Sequence, residues 1–304
     1  MFRSSRDHNI RRFTMGNVIA LRKSDYQRNY DMVALQSLLL YLKHHDRHAA
    51  WVISGMVIRI AQKMDYHRDG ENLNLTPFEI EMRRRIWWQI IQQDAKNCLT
   101  SGWSHSLLPT NWDIKTPQNI NDADLFPRSL YSSTPRKHPT EMAFCLIGYQ
   151  VASFLVRAEF QHDTLDLGAG IMGDDMLGER DFSFNMRTER YKGLLTELED
   201  CLREVETHYL DANAGSTHVA ALSIRPMLIS KLKMRLVPMR EQPEWGTEIL
   251  STKDNLFKIL LMNVKHSTDV YETMNQTRFI WYFKLHFQLD IFTAMTGQLC
   301  RRPT

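Results

Sequence analysis

Hydrophobic positions recur along this chain at helical rather than alternating spacing, and a dense run lies between Leu75 and Ile91. Placed at 100° intervals, Phe78, Met82, Ile86 and Ile90 fall on one arc, Ile80, Trp87 and Ile91 on nearly the opposite one, and Trp88 on a third flank. A helix that is apolar on more than one side belongs in the middle of a core rather than on its surface. Its start is marked as well: Thr76 can cap the first amides, Pro77 suits the first turn, and Glu79 completes a capping box. The spacing predicts a central helix over 77–100.

The same reading predicts an antiparallel helix pair over 32–43 and 49–64, joined by the polar turn His44-His45-Asp46-Arg47-His48. A loop rich in Pro, Asn and Asp follows over 101–139, then a helix from Thr140 to His162 and a glycine-containing loop over 163–185. Further helices are expected over 188–209, over 219–239 with a bend at Pro226, over 252–276, and from 277 or 278 to 299. Strand signals are weak, strands and helices do not alternate, and no repeat of fixed period is visible. The expected fold class is all-α, an irregular multi-helix array rather than a simple up-down bundle.

Glu81, Arg83, Arg84 and Arg85 interrupt the apolar central helix beside Trp87 and Trp88. At the edge of a core, such charges must be paired or must reach water along their stems. Glu81 has Arg84 and Arg85 at the i+3 and i+4 positions, which supplies local partners. An arginine cluster can also meet phosphate or nucleic acid, but a DNA-contacting helix displays its basic residues on an open face with few large apolar neighbours. The tryptophans favour a core helix whose arginines tie neighbouring helices and loops together.

Three segments carry a resemblance. Gly55-Met-Val-Ile-Arg-Ile-Ala-Gln-Lys-Met-Asp-Tyr-His-Arg68 precedes Glu81-Met-Arg-Arg-Arg-Ile-Trp-Trp88 with Asp94 beyond it, and Pro109-Thr-Asn-Trp-Asp-Ile-Lys-Thr-Pro117 leads into Asn119-Ile-Asn-Asp-Ala-Asp-Leu125. Together they resemble the middle homology region of fungal zinc-cluster transcription factors. That region has an Ala-Arg-x-Ala-x-x-Leu-Gly-Leu-His-Arg run, a Glu-x-Arg-Arg-Arg-x-Trp-Trp run, an Asp a turn or two later, and a Pro-Asn-x-x-Asp-Asp loop. Met64-Asp65-Tyr66 stands where the family has Leu-Gly-Leu, and Ala95-Lys96 stands where an arginine often follows the Asp. Leu35-Gln-Ser-Leu-Leu-Leu-Tyr41 is similar to the opening helix, and Trp281-Tyr-Phe, His286-Phe-Gln288 and Leu299-Cys-Arg-Arg-Pro303 to a late one. The resemblance runs from about Asp31 to the end of the sequence and is strongest over 55–125. It implies a structural or regulatory role for Arg59, His67, Arg68, Glu81, Arg83, Arg84, Arg85, Trp87, Trp88, Asp94 and Asp122.

Composition adds bounds. The 304 residues, 43% hydrophobic and 24% charged, can bury a substantial core. A net charge of +3 is too mild to imply nucleic acid on its own. Cys98, Cys145, Cys201 and Cys300 lie far apart, without the close pairs of a structural zinc site or redox dithiol. The zinc-cluster module through which the family binds DNA is therefore expected to be absent. Residues 1–30, with Arg3, Arg6, Arg11, Arg12, Arg22, Lys23 and Arg28 among Asp7 and Asp25, read as a basic lead-in to a helical domain over 31–304. Neither a secretory signal nor a run of about eighteen apolar residues is visible, so an intracellular protein without a membrane span is expected.

Other motifs carry little. Gly168-Ala-Gly-Ile-Met-Gly173 matches a dinucleotide fingerprint in letters only, lacking the strand before it and having Asp166, Asp174 and Asp175 around it. His44, His45 and His48 with Asp46 sit in a turn where solvated polar residues belong, rather than in a metal site. Asp122 and Asp124 lack the pocket that would split their pKa values, and are expected to cap turns or meet arginines of the central helix. No nucleophile elbow, Cys-His signature or phosphate loop is present, so no enzyme and no cofactor are expected. The expectation is a nuclear transcription regulator that acts through protein partners or a homodimer and reaches DNA only indirectly or through a further module. A small-molecule effector could be held among the sixteen methionines and many aromatics, although a plain core is the simpler and favoured explanation. The alternatives are a helical dimerisation or assembly scaffold, or co-regulator of full-length relatives, and a helical protein acting on an apolar metabolite.

Overall fold

In the computed structural model the described residues are 6–42, 47–101, 106–109, 111–129, 131, 133–157, 182–234, 268, 271–272 and 274–276. They are helical with no strand, an all-α array, and none of their helices is long and apolar enough to cross a membrane. They fall into two compact units. One is drawn from Met1–Ser101, Ser106–Pro117 and Leu125–Ser133, the other mainly from Gln118–Asp124 and Thr134–Thr304.

The first unit contains α1 (Arg6–Lys23), α2 (Met32–Leu42), α3 (Arg47–Lys63) and α4 (Pro77–Ser101). The basic lead-in is thus itself a helix, and Asn17 Nδ2 donates 3.1 Å to the carbonyl of Ser37 on α2. Asp31 opens α2, its Oδ1 accepting the Ala34 amide at 2.7 Å. Leu35, Leu38 and Leu42 of α2, Val57, Ile58 and Ala61 of α3, and Ile86, Trp87, Ile90 and Ile91 of α4 are all buried. Burial on both arcs of α4 is what its two-sided apolar pattern requires. The capping box at its start is reciprocal: Thr76 N–H and Oγ1 both donate to Glu79 Oε2, at 2.9 and 2.7 Å, and the Glu79 amide returns to Thr76 Oγ1 at 3.3 Å.

The end of α3 explains one departure from the family pattern. Asp65 has φ 57°, in the left-handed region, while Tyr66 N–H bonds to Ala61 O at 2.9 Å and Asp65 N–H to Gln62 O at 3.0 Å. This is the Schellman arrangement that closes helices, and its left-handed residue is ordinarily glycine. Asp65 stands where the family has Gly, holding the same conformation at a steric cost that glycine escapes. Asp65→Gly is expected to stabilise the protein by about 1 kcal/mol, read as a rise in the chemical denaturation midpoint. A fall in the midpoint would mean that the aspartate contributes something beyond its backbone.

The second unit contains α5 (Ala143–Arg157), α6 (Phe182–Tyr209) and α7 (Ser216–Met234). Tyr191, Leu195, Leu198, Leu202 and Val205 recur at alternating steps of four and three along α6, and pack with Ile147 and Phe154 of α5 and with Ala221, Ile229 and Leu232 of α7. The Phe154 and Tyr191 rings meet edge-on at 5.7 Å. Helix α6 begins six residues before the expected 188, because residues 182–187 carry no glycine or proline to stop it. Helix α5 starts at Ala143 rather than Thr140, whose hydroxyl instead accepts the Met142 amide at 3.2 Å as a turn-forming cap. Helix α7 continues through Pro226. Of the expected helices over 252–276 and 277–299, only a few positions near 268–276 are described, and these are helical. The Gly168–Gly173 motif, His44 and His45 lie outside the described residues.

Candidate functional site

Among the family-pattern residues of the first unit, Arg84 sits at the centre of a buried circuit of charges. This guanidinium, 4% exposed at the level of the residue, leaves α4 to grip Asp69 in a two-point contact, Nε to Oδ2 and Nη2 to Oδ1, both 2.9 Å. Its Nη2 also donates to Glu71 Oε1 at 2.6 Å. Asp69 in turn accepts the amides of Glu71 at 3.1 Å and of Lys115 at 2.9 Å, and its own amide donates to Asp113 Oδ1 at 2.9 Å. Lys115 Nζ closes the circuit on Glu71 Oε2 at 2.6 Å. Three pieces of chain, the turn after α3, helix α4 and the loop over 111–117, are thereby tied at one buried carboxylate.

Burial alone would raise the pKa of Asp69, but Arg84 and the amides of Lys115 and Glu71 outweigh it and hold the carboxyl at about 2. The pKa of Glu71, an exposed residue, is lowered by Lys115 and then by Arg84. A carboxylate so fully satisfied is a fastener rather than a general base. Gly70 lets the turn press against α4: a Cβ there would lie 2.9 Å from Ile80 Cγ1 and 3.3 Å from its Cα.

The neighbouring motif residues serve the same junction. Arg83 lies over the Tyr66 ring, 4.5 Å from its centroid, and donates to the Asp65 carbonyl at 3.2 Å. Arg85 pairs with the buried Glu81 at 3.1 Å. Glu81 therefore takes its i+4 neighbour, whereas Arg84, its expected i+3 partner, is turned away to Asp69 and Glu71. Trp88 donates from Nε1 to the Lys115 carbonyl at 3.0 Å and packs edge-on against Trp112 at 5.7 Å. Trp87 is completely buried, with the His67 ring 6.0 Å away. Neither Trp87 Nε1 nor His67 Nδ1 has a hydrogen-bond partner among the described residues. His67 also accepts the Asp113 amide on its carbonyl at 3.1 Å.

Three motif residues stand apart from the Arg84 circuit. Arg59 is exposed and reaches back to the Gly55 carbonyl of its own helix at 3.2 Å, and Arg68 is exposed in the turn. Asp94 is 1% exposed and has no ion-pair partner among the described residues; it accepts from Ser106 Oγ at 2.6 Å and the Leu107 amide at 3.2 Å. Burial raises its pKa, against those two bonds.

In the second unit, Asp122 is exposed on a short 3₁₀ turn, Asp122–Asp124, where its amide donates to Glu141 Oε2 at 3.2 Å. Asp124 carries the turn: it caps the Asn121 amide at 2.9 Å and forms a two-point pair with Arg136, through Nε at 2.7 Å and through Nη2. The arginine that meets this acid belongs to the loop, not to the central helix. The buried Asn119 ties the same loop, donating to the carbonyls of Arg136 and His138 at 2.9 and 3.0 Å and accepting from Thr140 Oγ1 at 2.6 Å.

Sequence reasoning missed Asp69, Glu71, Asp113, Lys115, Asn119 and Arg136 as members of these circuits. Asp69 had a visible signal, an acid directly after His67-Arg68 and before a glycine; the pairings of the others had none, since their partners outside the local turn lie 12 to 46 positions away. Among the described residues, no group of three His, Cys, Asp or Glu side chains is placed to hold a metal ion.

Residues 4–156 match the fungal specific transcription factor domain. The pyriculol/pyriculariol biosynthesis cluster transcription factor 1 of Pyricularia oryzae is 34% identical over 98% of this chain and 40% of its own length. The aurofusarin cluster transcription factor aurR2 of Gibberella zeae is 24% identical over 97% of this chain and 42% of its own. The transcriptional regulator AacuB of Aspergillus aculeatus is 32% identical over 46% of this chain and 20% of its own. The chain thus spans about two fifths of the length of the first two relatives. No solved structure matches it. The domain match covers the entire Arg84 circuit and the Asn119–Arg136 loop, and on that match the chain belongs to the fungal specific transcription factor domain family.

Proposed function

We propose that this chain is the helical regulatory region of a fungal transcription regulator serving a biosynthetic gene cluster. The observation that carries this reading is the match over 4–156, which takes in the whole buried circuit around Arg84. The cluster assignment rests on relatives whose names specify pyriculol/pyriculariol and aurofusarin clusters. Its place of action is the nucleus, and its contact with DNA is indirect, through a zinc-cluster module or a protein partner. The site performs no reaction, because its carboxylates are neutralised by fixed arginine and lysine partners. Regulation would operate as a population shift between helix arrangements, biased by a protein partner or a small effector.

A reporter assay tests this reading. The 304 residues are inserted between an unrelated DNA-binding domain and an activation domain in a fungal host. Reporter output is expected to differ from that of the direct fusion, and Arg84→Ala is expected to remove the difference. Output identical to the direct fusion, with the protein present at equal level in the nucleus, would overturn the proposal.

A further inference from the structure

The sequence contains three Thr-Pro dipeptides and no Ser-Pro. Proline-directed protein kinases take a threonine followed by proline in extended, accessible chain, and favour a cation three residues after the threonine. Thr76-Pro77 is unavailable, since Thr76 is bonded to Glu79 in the capping box and Pro77 is the first residue of α4. At Thr116-Pro117 the proline is buried, and the residue three beyond the threonine is Asn119. At Thr134-Pro135 both residues are exposed and outside any helix, and Lys137 is an exposed cation at the favoured position. A residue before proline is also biased toward extended backbone, the form a kinase cleft accepts.

What surrounds Thr134 gives a phosphate something to do. Arg136 follows two residues later, about 7 Å along an extended chain, and holds Asp124 in the two-point pair described above. That pair draws Asp124 below the ordinary carboxylate range, with the Asn121 amide as the second contributor. Lys137 and His138 add exposed basic side chains next to it. A phosphate carries close to two negative charges and three acceptor oxygens at neutral pH, and so outcompetes a single carboxylate for a guanidinium.

We propose that Thr134 is a phosphorylation site for a proline-directed kinase, and that the phosphate takes Arg136 from Asp124. The Thr134 hydroxyl oxygen attacks the γ-phosphorus of ATP. A new O–P bond forms as the bond to the β–γ bridging oxygen breaks, ADP leaves, and the hydroxyl proton passes to the catalytic carboxylate of the kinase. Asp124, having lost Arg136, then caps the Asn121 amide less tightly, and the turn over 121–124 loosens. The proposal stands whether or not the transcriptional reading holds.

The test incubates the full chain with a purified proline-directed serine/threonine kinase and ATP, and maps the phosphate by peptide mass spectrometry. Phosphate is expected on Thr134, and is expected to be lost in Thr134→Val and in Pro135→Ala, with Thr76 and Thr116 unmodified. An unmodified Thr134 in the folded chain would overturn the site. Amide hydrogen exchange tests the handover: the Asn121 amide is expected to exchange several-fold faster after phosphorylation. In Arg136→Gln it should already be fast and insensitive to phosphate. Unchanged protection of Asn121 in fully phosphorylated protein overturns the handover even where the site itself is modified.

Discussion

Replacing Trp87 with alanine is expected to destabilise the first unit by about 3–5 kcal/mol, the usual cost of deleting a large buried aromatic. Trp87 is 0% exposed on the arc of α4 that it shares with the buried Ile91, with the His67 ring beside it. A cavity of that size cannot close without moving helices that α4 itself holds apart. The measurement is urea denaturation followed by far-UV circular dichroism, with the slope checked so that a lower midpoint reports stability. Trp87→Phe is expected to lose clearly less. It keeps most of the packing and removes an indole N–H that has no hydrogen-bond partner among the described residues. An unchanged midpoint in the alanine variant would show that the indole does not support the core.

Loss of the Arg84 side chain is the second large effect. Arg84→Ala would leave Asp69, whose side chain is 4% exposed, as a buried charge without its cation. Breaking one side of such a pair costs about 3–5 kcal/mol, more than the pair itself contributes, because the abandoned charge stays desolvated. Lysine is a poor substitute, having a point charge where Asp69 is met by two parallel N–H donors. The pH dependence carries an independent signature. The folded-state pKa of Asp69, about 2, lies below the ordinary 3.8, so its contribution is complete above about pH 4 and is lost as pH falls toward 2. It amounts to about 2 kcal/mol at neutral pH. In Arg84→Ala that acid-side loss of stability is expected to shrink. An acid limb identical to that of the parent protein would remove the Asp69–Arg84 pair from the account.

The local features of α4 were legible because they are local. Thr76, Pro77 and Glu79 sit within one turn, and the helix starts where they place it. The pairing of Arg85 with Glu81 follows from helical spacing in the same way, since residues four apart share a face. Arg84 shows where that reasoning stops. Spacing offers it Glu81 three positions earlier, but the turn after α3 returns close enough to offer Asp69 and Glu71, and a two-point contact with a buried acid wins. Asp122 and Asp124 repeat the lesson: both carboxylates were visible, but only the folded loop selects Asp124 as the partner of Arg136.

By itself, the sequence determined the helical class, the two-sided burial of α4 and the family, because periodicity, caps and an ordered motif need no knowledge of distant neighbours. Tertiary structure alone decided that Asp69 is the hub of the arginine circuit and that Lys115 closes it. Those outcomes depend on where chain segments up to 46 residues apart come to lie. Burial then makes each contact consequential, since a charge withdrawn from water must find its partner within hydrogen-bond reach or destabilise the fold.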